Sequence, residues 1–248
     1  MSHAWTPSSN VLPLEGNQVH VWKINLLQPP ARIEQLKLVL SQAELTKANQ
    51  FHKADDGRRY IAAHGALREL LARYLRIRAD ALTFSDSDKG KPSLSTEYSA
   101  SGLQFNLSHS HELALLAAVK SRKIGIDVEH LRNLPNAEAI AGRFFTVEER
   151  EALARLPASN RTAAFFICWT RKEALLKSTG EGLSKPIDTW NVSHDLSGSA
   201  GSVAIACRTC ASLVWELTDL RPADGYVGAC AVEGTGCALT TFELVGAS

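Results

Sequence analysis

No stretch of the 248 residues stays apolar for the roughly 18–20 positions that a membrane-spanning helix needs. No membrane partner is therefore expected. The first ten residues lack the basic patch and apolar core of a secretory signal, so none is expected either. Charge of one sign is not in excess: 27 Lys and Arg face 26 Asp and Glu, a net charge of +1. That removes the electrostatic case for a nucleic-acid binder. No cysteine precedes Cys168, and the total of five is odd. This is a poor disulfide framework and points to a reducing cytoplasm. Cys207 and Cys210 have zinc-like spacing, but six residues separate Cys230 from Cys237, so no zinc site is read here. No short repeat is visible.

What is present is an ordinary globular composition, 45% apolar and 21% charged. The length suits one large domain or two modest ones. Charge is uneven along it: residues 1–122 carry 15 basic and 11 acidic side chains, residues 123–248 carry 12 and 15. Such halves suit an anionic ligand held partly by cations and partly through a metal. Much of the basic excess lies between Lys47 and Arg78.

Alternation predicts a strand over 18–25. Ser41 and Glu44 form a capping-box pattern opening a helix. A long helix is predicted from Asp55 to about Arg78, followed by turn-rich stretches at 85–92 and 93–102. A short extended piece at 105–107 and strands at 113–119 and 124–129 come next. Thr146 and Glu149 repeat the capping box, and a second long helix runs from about Arg161 to Lys177, ending at Gly180 and Gly182. Further strands are expected near 188–194, 201–207, 211–219 and 225–232. The pattern is α+β, without the strict alternation of a parallel α/β sheet. A boundary near Arg122 divides it into comparable halves, 1–122 and 123–248.

Four pieces carry chemistry. On a strand, Asp127 and Glu129 share one face, where paired carboxylates repel unless a cation lies between them. Oxygen ligands suit Mg²⁺; a solvated strand end is the plainer reading. On a helix, Trp169, Lys172, Glu173, Leu176 and Lys177 share one face. It is either an ion-pair ladder or a surface that stacks on a ligand, holds phosphates and adds a third carboxylate. Ser108 and His109 stand in a predicted turn after a strand, as phosphate donors or as a polar turn satisfying its own backbone. Gly90-Lys91-Pro92 places a cation on a stiff turn.

Taken in order, GKP at Gly90–Pro92, FNLSHS at Phe105–Ser110, IGIDVE at Ile124–Glu129, FFTVEE at Phe144–Glu149 and WTRKEALLK at Trp169–Lys177 running into GEGLSKP resemble the surfactin-type 4′-phosphopantetheinyl transferases. FHKADDGRRYIAAHGALR, Phe51–Arg68, is similar more loosely. The resemblance implies two similar α+β halves related by a pseudo-twofold axis, with coenzyme A between them. It implies transfer of the 4′-phosphopantetheine arm to a serine of an apo carrier protein (acyl, peptidyl or aryl), releasing 3′,5′-ADP. Asp127, Glu129 and Glu173 are expected to bind Mg²⁺, or Mn²⁺. Lys172 and Lys177 are expected on phosphates, His109 and Ser108 at the 3′-phosphate, and Lys91 and Pro92 at the adenine. Arg59, and Lys47 more loosely, match early cofactor contacts. Glu149 matches a glutamate assigned to proton abstraction, for which Glu173 or water is the alternative. A cytoplasmic monomer is expected. The same carboxylates would also serve a hydrolase of nucleotide pyrophosphates, and a coenzyme A or carrier binding module is the non-enzymatic alternative.

Overall fold

The computed structural model describes residues 4–85, 92–180, 190–196, 201–206 and 214–246. Gly90 and Lys91, the 181–186 part of GEGLSKP, and Cys207 and Cys210 lie outside the described residues. Strand β1 (Thr6–Ser8) and strand β2 (Gln18–Asn25) are followed by helices α1 (Pro30–Lys37), α2 (Gln42–Asn49) and α3 (Ala54–Leu75). After the short pair β3 (Phe84–Ser85) and β4 (Ser93–Leu94) come β5 (Leu103–Ser110), β6 (Leu113–Lys120) and β7 (Ile124–His130). Helices α4 (Ala137–Phe144), α5 (Val147–Ala154) and α6 (Ala158–Thr179) precede β8 (Ser202–Ala206), β9 (Val214–Leu220), β10 (Tyr226–Glu233) and β11 (Ala238–Leu244).

Two larger sheets result, in the orders β1-β11-β2-β6-β5 and β7-β10-β9-β8. The α+β class is thus observed. The second sheet is antiparallel throughout, whereas β11 runs parallel to both β1 and β2. The carboxy-terminal strand therefore returns to the sheet of the first half, across the sequence boundary near Arg122.

Strand alternation builds the layers. In β2 and β6, Trp22, Ile24, Ala114, Leu116 and Ala118 face Leu67, Leu70 and Leu71 of α3. Their neighbours Val19, Val21, Leu115, Ala117 and Val119 face Ile124, Ile126 and Val128 of β7. The opposite face of the second sheet, with Trp215, Leu217, Ala229 and Ala231, packs on Phe166, Ala174 and Leu175 of α6. Both sheets lie between the two long helices, and β6 is buried on both faces.

Both predicted capping boxes form, Ser41 with Glu44 and Thr146 with Glu149. The long helix α3 stops three residues earlier than predicted, where Arg76 takes a left-handed conformation (φ 56°). The extended piece at 105–107 is the middle of an eight-residue strand, so Ser108 and His109 lie on β5 and the turn falls at His111 (φ 54°). No strand occupies 190–194; that segment is irregular and is tied down by side chains of α6.

Candidate active site

The site lies where the edge strands β5 and β7 of the two sheets meet. Side chains, not a backbone ladder, join these edges. Asn106, Ser108 and Ser110 point the same way at period two. Asn106 Oδ1 accepts from Ile126 N (2.8 Å), Ser108 Oγ donates to Asp127 Oδ1 (2.9 Å), and Ser110 Oγ donates to Glu129 Oε2 (2.9 Å). Ser110 Oγ also accepts from His130 N at 3.1 Å. The motif FNLSHS is therefore a polar seam whose hydroxyls orient two carboxylates from the other sheet.

Asp127 and Glu129 share one face of β7 because they are two residues apart. Gly125 precedes them on that face, and α6 rests on it. A methyl group there would overlap the Ala174 carbonyl and the Ser178 amide. The missing side chain lets α6 approach and brings Glu173 and Lys177, one turn apart, over the acidic end of β7. The Lys177 ammonium lies 2.6 Å from Asp127 Oδ1 and donates to Ser108 Oγ at 3.0 Å. Glu129 also receives Arg132 at 2.8 Å.

The carboxylates feel one another. Burial raises the pKa of Asp127, Glu129 raises it further, and Lys177 and Ser108 oppose the shift. Burial likewise raises the pKa of Glu173, reinforced by Asp127 and Glu129 and opposed by Lys177. Asp127 is 5% exposed, and its second oxygen, Oδ2, is buried with no partner. Among the described residues, no three acidic, histidine or cysteine side chains stand close enough to hold a metal ion. The expected trio is thus not drawn together in this conformation, in which the Lys177 ammonium is the cation on Asp127. The donor chemistry nevertheless fits a hard divalent cation: oxygen ligands, neighbouring like charges and one unsatisfied buried carboxylate oxygen.

His109 is on the opposite face of β5 from Ser108, with part of its side chain reaching solvent. Desolvation of the rest, and then the charges of the nearby His64 and Lys177, lower its pKa. His64 of α3 stacks on Tyr60 (centroids 4.0 Å apart). Both line an open pocket of about 570 Å³ with Lys47, Arg68, Phe84 and Pro92. Lys47 and Pro92, distant in sequence, are thus brought together, with the Lys47 ammonium 5.6 Å from the Tyr60 ring. Burial would raise the pKa of Glu44, but hydrogen bonds with His64 and Ser41 and the Arg68 charge bring it down to about 2. Arg59 pairs with Asp56 at 3.0 Å, and its buried Nε has no partner.

Lys172 and Glu149 depart from expectation. Both side chains are 0% exposed and form an ion pair of 2.9 Å. Lys172 also donates to the Trp190 carbonyl at 3.1 Å and lies 5.8 Å from the Phe145 ring. Glu149 accepts from Thr146 N (2.7 Å) and Val192 N (2.9 Å). Neither presents surface to phosphate or to a serine proton. Trp169 is half-buried and packs with Phe144 and Phe165. The reason is angular: successive helical residues point about 100° apart, so Lys172 turns toward α5 while Glu173 faces β7. Sequence reasoning missed Ser110, Asn106, His64, Tyr60 and Arg132. The alternating Asn106, Ser108 and Ser110 would have shown the first two had the strand been extended to 110.

Residues 123–231 match the 4′-phosphopantetheinyl transferase superfamily, and residues 29–121 match the 4′-phosphopantetheinyl transferase N-terminal family. The chain is 38% identical to the 4′-phosphopantetheinyl transferase HetI of Nostoc sp. over 95% of its own length and 96% of that protein's. The chain belongs to the 4′-phosphopantetheinyl transferase superfamily. More distant likenesses are to the transferase Sfp of Bacillus subtilis, 30% identical over 64% of this chain and 68% of the relative. The human L-aminoadipate-semialdehyde dehydrogenase-phosphopantetheinyl transferase is 30% identical over 62% of this chain and 53% of its own length. This enzyme is thus a transferase of the 4′-phosphopantetheinyl group, a group that its family takes from coenzyme A. No helix among the described residues is long and apolar enough to cross a membrane.

Proposed function

We propose that this transferase is of the surfactin type and moves the phosphopantetheine arm of coenzyme A to a serine hydroxyl of an apo carrier protein, with a divalent cation and release of 3′,5′-ADP. The observation that carries the reading is the buried Asp127 carboxylate at the seam. It bears the Lys177 ammonium, feels the charge of Glu129, is felt in turn by Glu173, and has one oxygen unsatisfied. Asp127, Glu129 and Glu173 would hold Mg²⁺ or Mn²⁺, which neutralises diphosphate charge when bound.

The chain's own residues supply the rest. Displacement at a diphosphate is mostly a matter of alignment and charge neutralisation. Lys177 stabilises the leaving bisphosphate. Ser108 orients Asp127, and His109 faces the incoming phosphates beside His64. Lys47, Tyr60 and Pro92 line the pocket that suits the adenine end, and Arg59, with its unsatisfied Nε, is a further cofactor contact from α3. Glu173, which α6 holds over the acidic end of β7, takes the serine proton on an oxygen that the cation leaves open. Glu149 is not assigned that step, because it is sealed against Lys172.

The enzyme is read as a cytoplasmic monomer of two related halves, divided near Arg122 and meeting at β5 and β7. Small acidic carriers fit the basic stretch from Lys47 to Arg78. Intact-mass measurement of a panel of apo carriers with Mg²⁺ and coenzyme A tests the reading. A gain of one phosphopantetheine arm is expected. Equal release of 3′,5′-ADP with and without carrier would instead identify a pyrophosphate hydrolase.

A further inference from the structure

We propose that Lys177 is a resident counter-ion of Asp127, which a divalent cation must displace, so that ammonium and metal compete for one carboxylate. The proposal rests on the reading of Asp127 as a metal ligand.

The geometry sets up this competition. Asp127 Oδ1 is held by the Lys177 ammonium at 2.6 Å and by Ser108 Oγ at 2.9 Å, while Oδ2 is buried without a partner. A divalent cation drawn to Oδ2 by Asp127, Glu129 and Glu173 meets a positive charge already seated on the same carboxylate. Like charges a few ångströms apart in a half-buried site repel by an amount comparable to the attraction each feels for the carboxylate. One of them must move.

Lys177 is able to move. Its side chain is 31% exposed, whereas the Asp127 side chain is 7% exposed and the Lys172 side chain 0%. The movable cation on the helix face is the one at the site; the sealed one is bolted into the core. In the free enzyme the ammonium neutralises a buried aspartate that would otherwise be an uncompensated charge. When a diphosphate arrives, the same ammonium transfers to it and opens Asp127 to the metal. Metal and diphosphate then bind with positive coupling, and metal binds the free enzyme only weakly.

Binding of Mn²⁺ to the ligand-free protein, read from the free-ion electron paramagnetic resonance signal, tests this without any turnover. Lys177→Gln, neutral but still able to bond to Asp127, is expected to bind Mn²⁺ at least about tenfold more tightly than the wild type. Lys177→Met serves as a second neutral variant should the first fail to fold. Lys177→Arg keeps the charge and is expected to match the wild type. Lys120→Gln removes an exposed charge outside the site and is expected to change affinity by no more than about twofold. Asp127→Asn is expected to abolish the site. If Asp127→Asn loses binding but the neutral variants bind no more tightly than the wild type, the competition is refuted and the metal reading survives. If Asp127→Asn binds Mn²⁺ as the wild type does, or no variant binds it, both fall.

Discussion

Replacing Glu149 by alanine strips three partners from one buried carboxylate. The Lys172 ammonium, 0% exposed, is left in the core of the second half. An orphaned member of a buried ion pair costs about 3–5 kcal/mol. The Thr146 amide loses the reciprocal half of its capping box, about 1 kcal/mol, and the Val192 amide loses its acceptor. The first two losses alone come to about 4–6 kcal/mol, a large part of the roughly 5–15 kcal/mol that holds a typical domain folded. The paired change Glu149→Gln with Lys172→Met removes both charges, keeps an amide oxygen for one backbone donor and preserves volume. It is expected to return stability to within about 2 kcal/mol of the wild type. Urea unfolding at pH 7 measures each step. Steady-state transfer by the folded double variant is expected to stay within about fivefold of wild type in kcat/KM, because both side chains are sealed away from the surface. A fall of about two or three orders of magnitude with an intact fold would mean that Lys172 or Glu149 touches the reacting groups, and the structural assignment would be wrong.

Asp127→Asn keeps the Ser108 contact and is expected to fold, yet to lose at least about two to three orders of magnitude in kcat by carrier-loading assay. Gly125→Ala pushes α6 off β7, because its methyl group overlaps Ala174 and Ser178. A loss of about 1–3 kcal/mol in urea unfolding and a marked fall in kcat are expected, and wild-type kcat would show that α6 need not sit so close. Burial lowers the His20 pKa from 6.5 to about 4, and His194 is lowered likewise by burial and then by Arg171. The unfolded chain therefore takes up protons first as pH falls from about 6.5 toward 4. Over that window the His20 contribution to stability, about 3 kcal/mol, is lost, and His20→Gln is expected to flatten the slope of unfolding free energy against pH.

Much of this was legible in the sequence wherever local pattern and tertiary role coincide. QVHVWKIN alternates and forms β2 with the predicted ends; Ser41 and Thr146 cap the predicted helices. Asp127 and Glu129 share a face because strand geometry leaves no choice. What failed depends on partners far away in the chain. The strand at 238–244 is identified by its parallel pairing with β2, more than two hundred residues earlier, and its own residues announce little. The segment 190–194 reads as a strand but pairs with no strand among the described residues; the Arg171 guanidinium donates to the Val192 and His194 carbonyls instead. Helical periodicity placed Lys172 and Glu173 on one broad face. Their adjacent positions already point about 100° apart, and the polarity of a lysine does not say whether a buried carboxylate awaits it.

That angular divergence explains why one helix can hold an exacting site. Arg171, Lys172 and Glu173 are consecutive, so they leave α6 in three directions. Arg171 reaches Asp219 of β9 at 2.6 Å, and Lys172 reaches Glu149 of α5 at 2.9 Å. Both pairs are buried, and neither tolerates a rotation of α6 without uncovering a charge in the core. Glu173 and Lys177 inherit that rigidity: their azimuth over β7 is set by two ion pairs sealed in the core. The seam completes the constraint from the other side, since Ser108 and Ser110 fix Asp127 and Glu129 with hydroxyls from the opposite sheet. On the face of α6 over β7, the Lys177 head is the partly exposed end, and Arg132 on Glu129 is more exposed still. A site arranged in this way keeps its carboxylates in place before any ligand arrives and leaves its exposed cations to respond to the charge that the ligand brings.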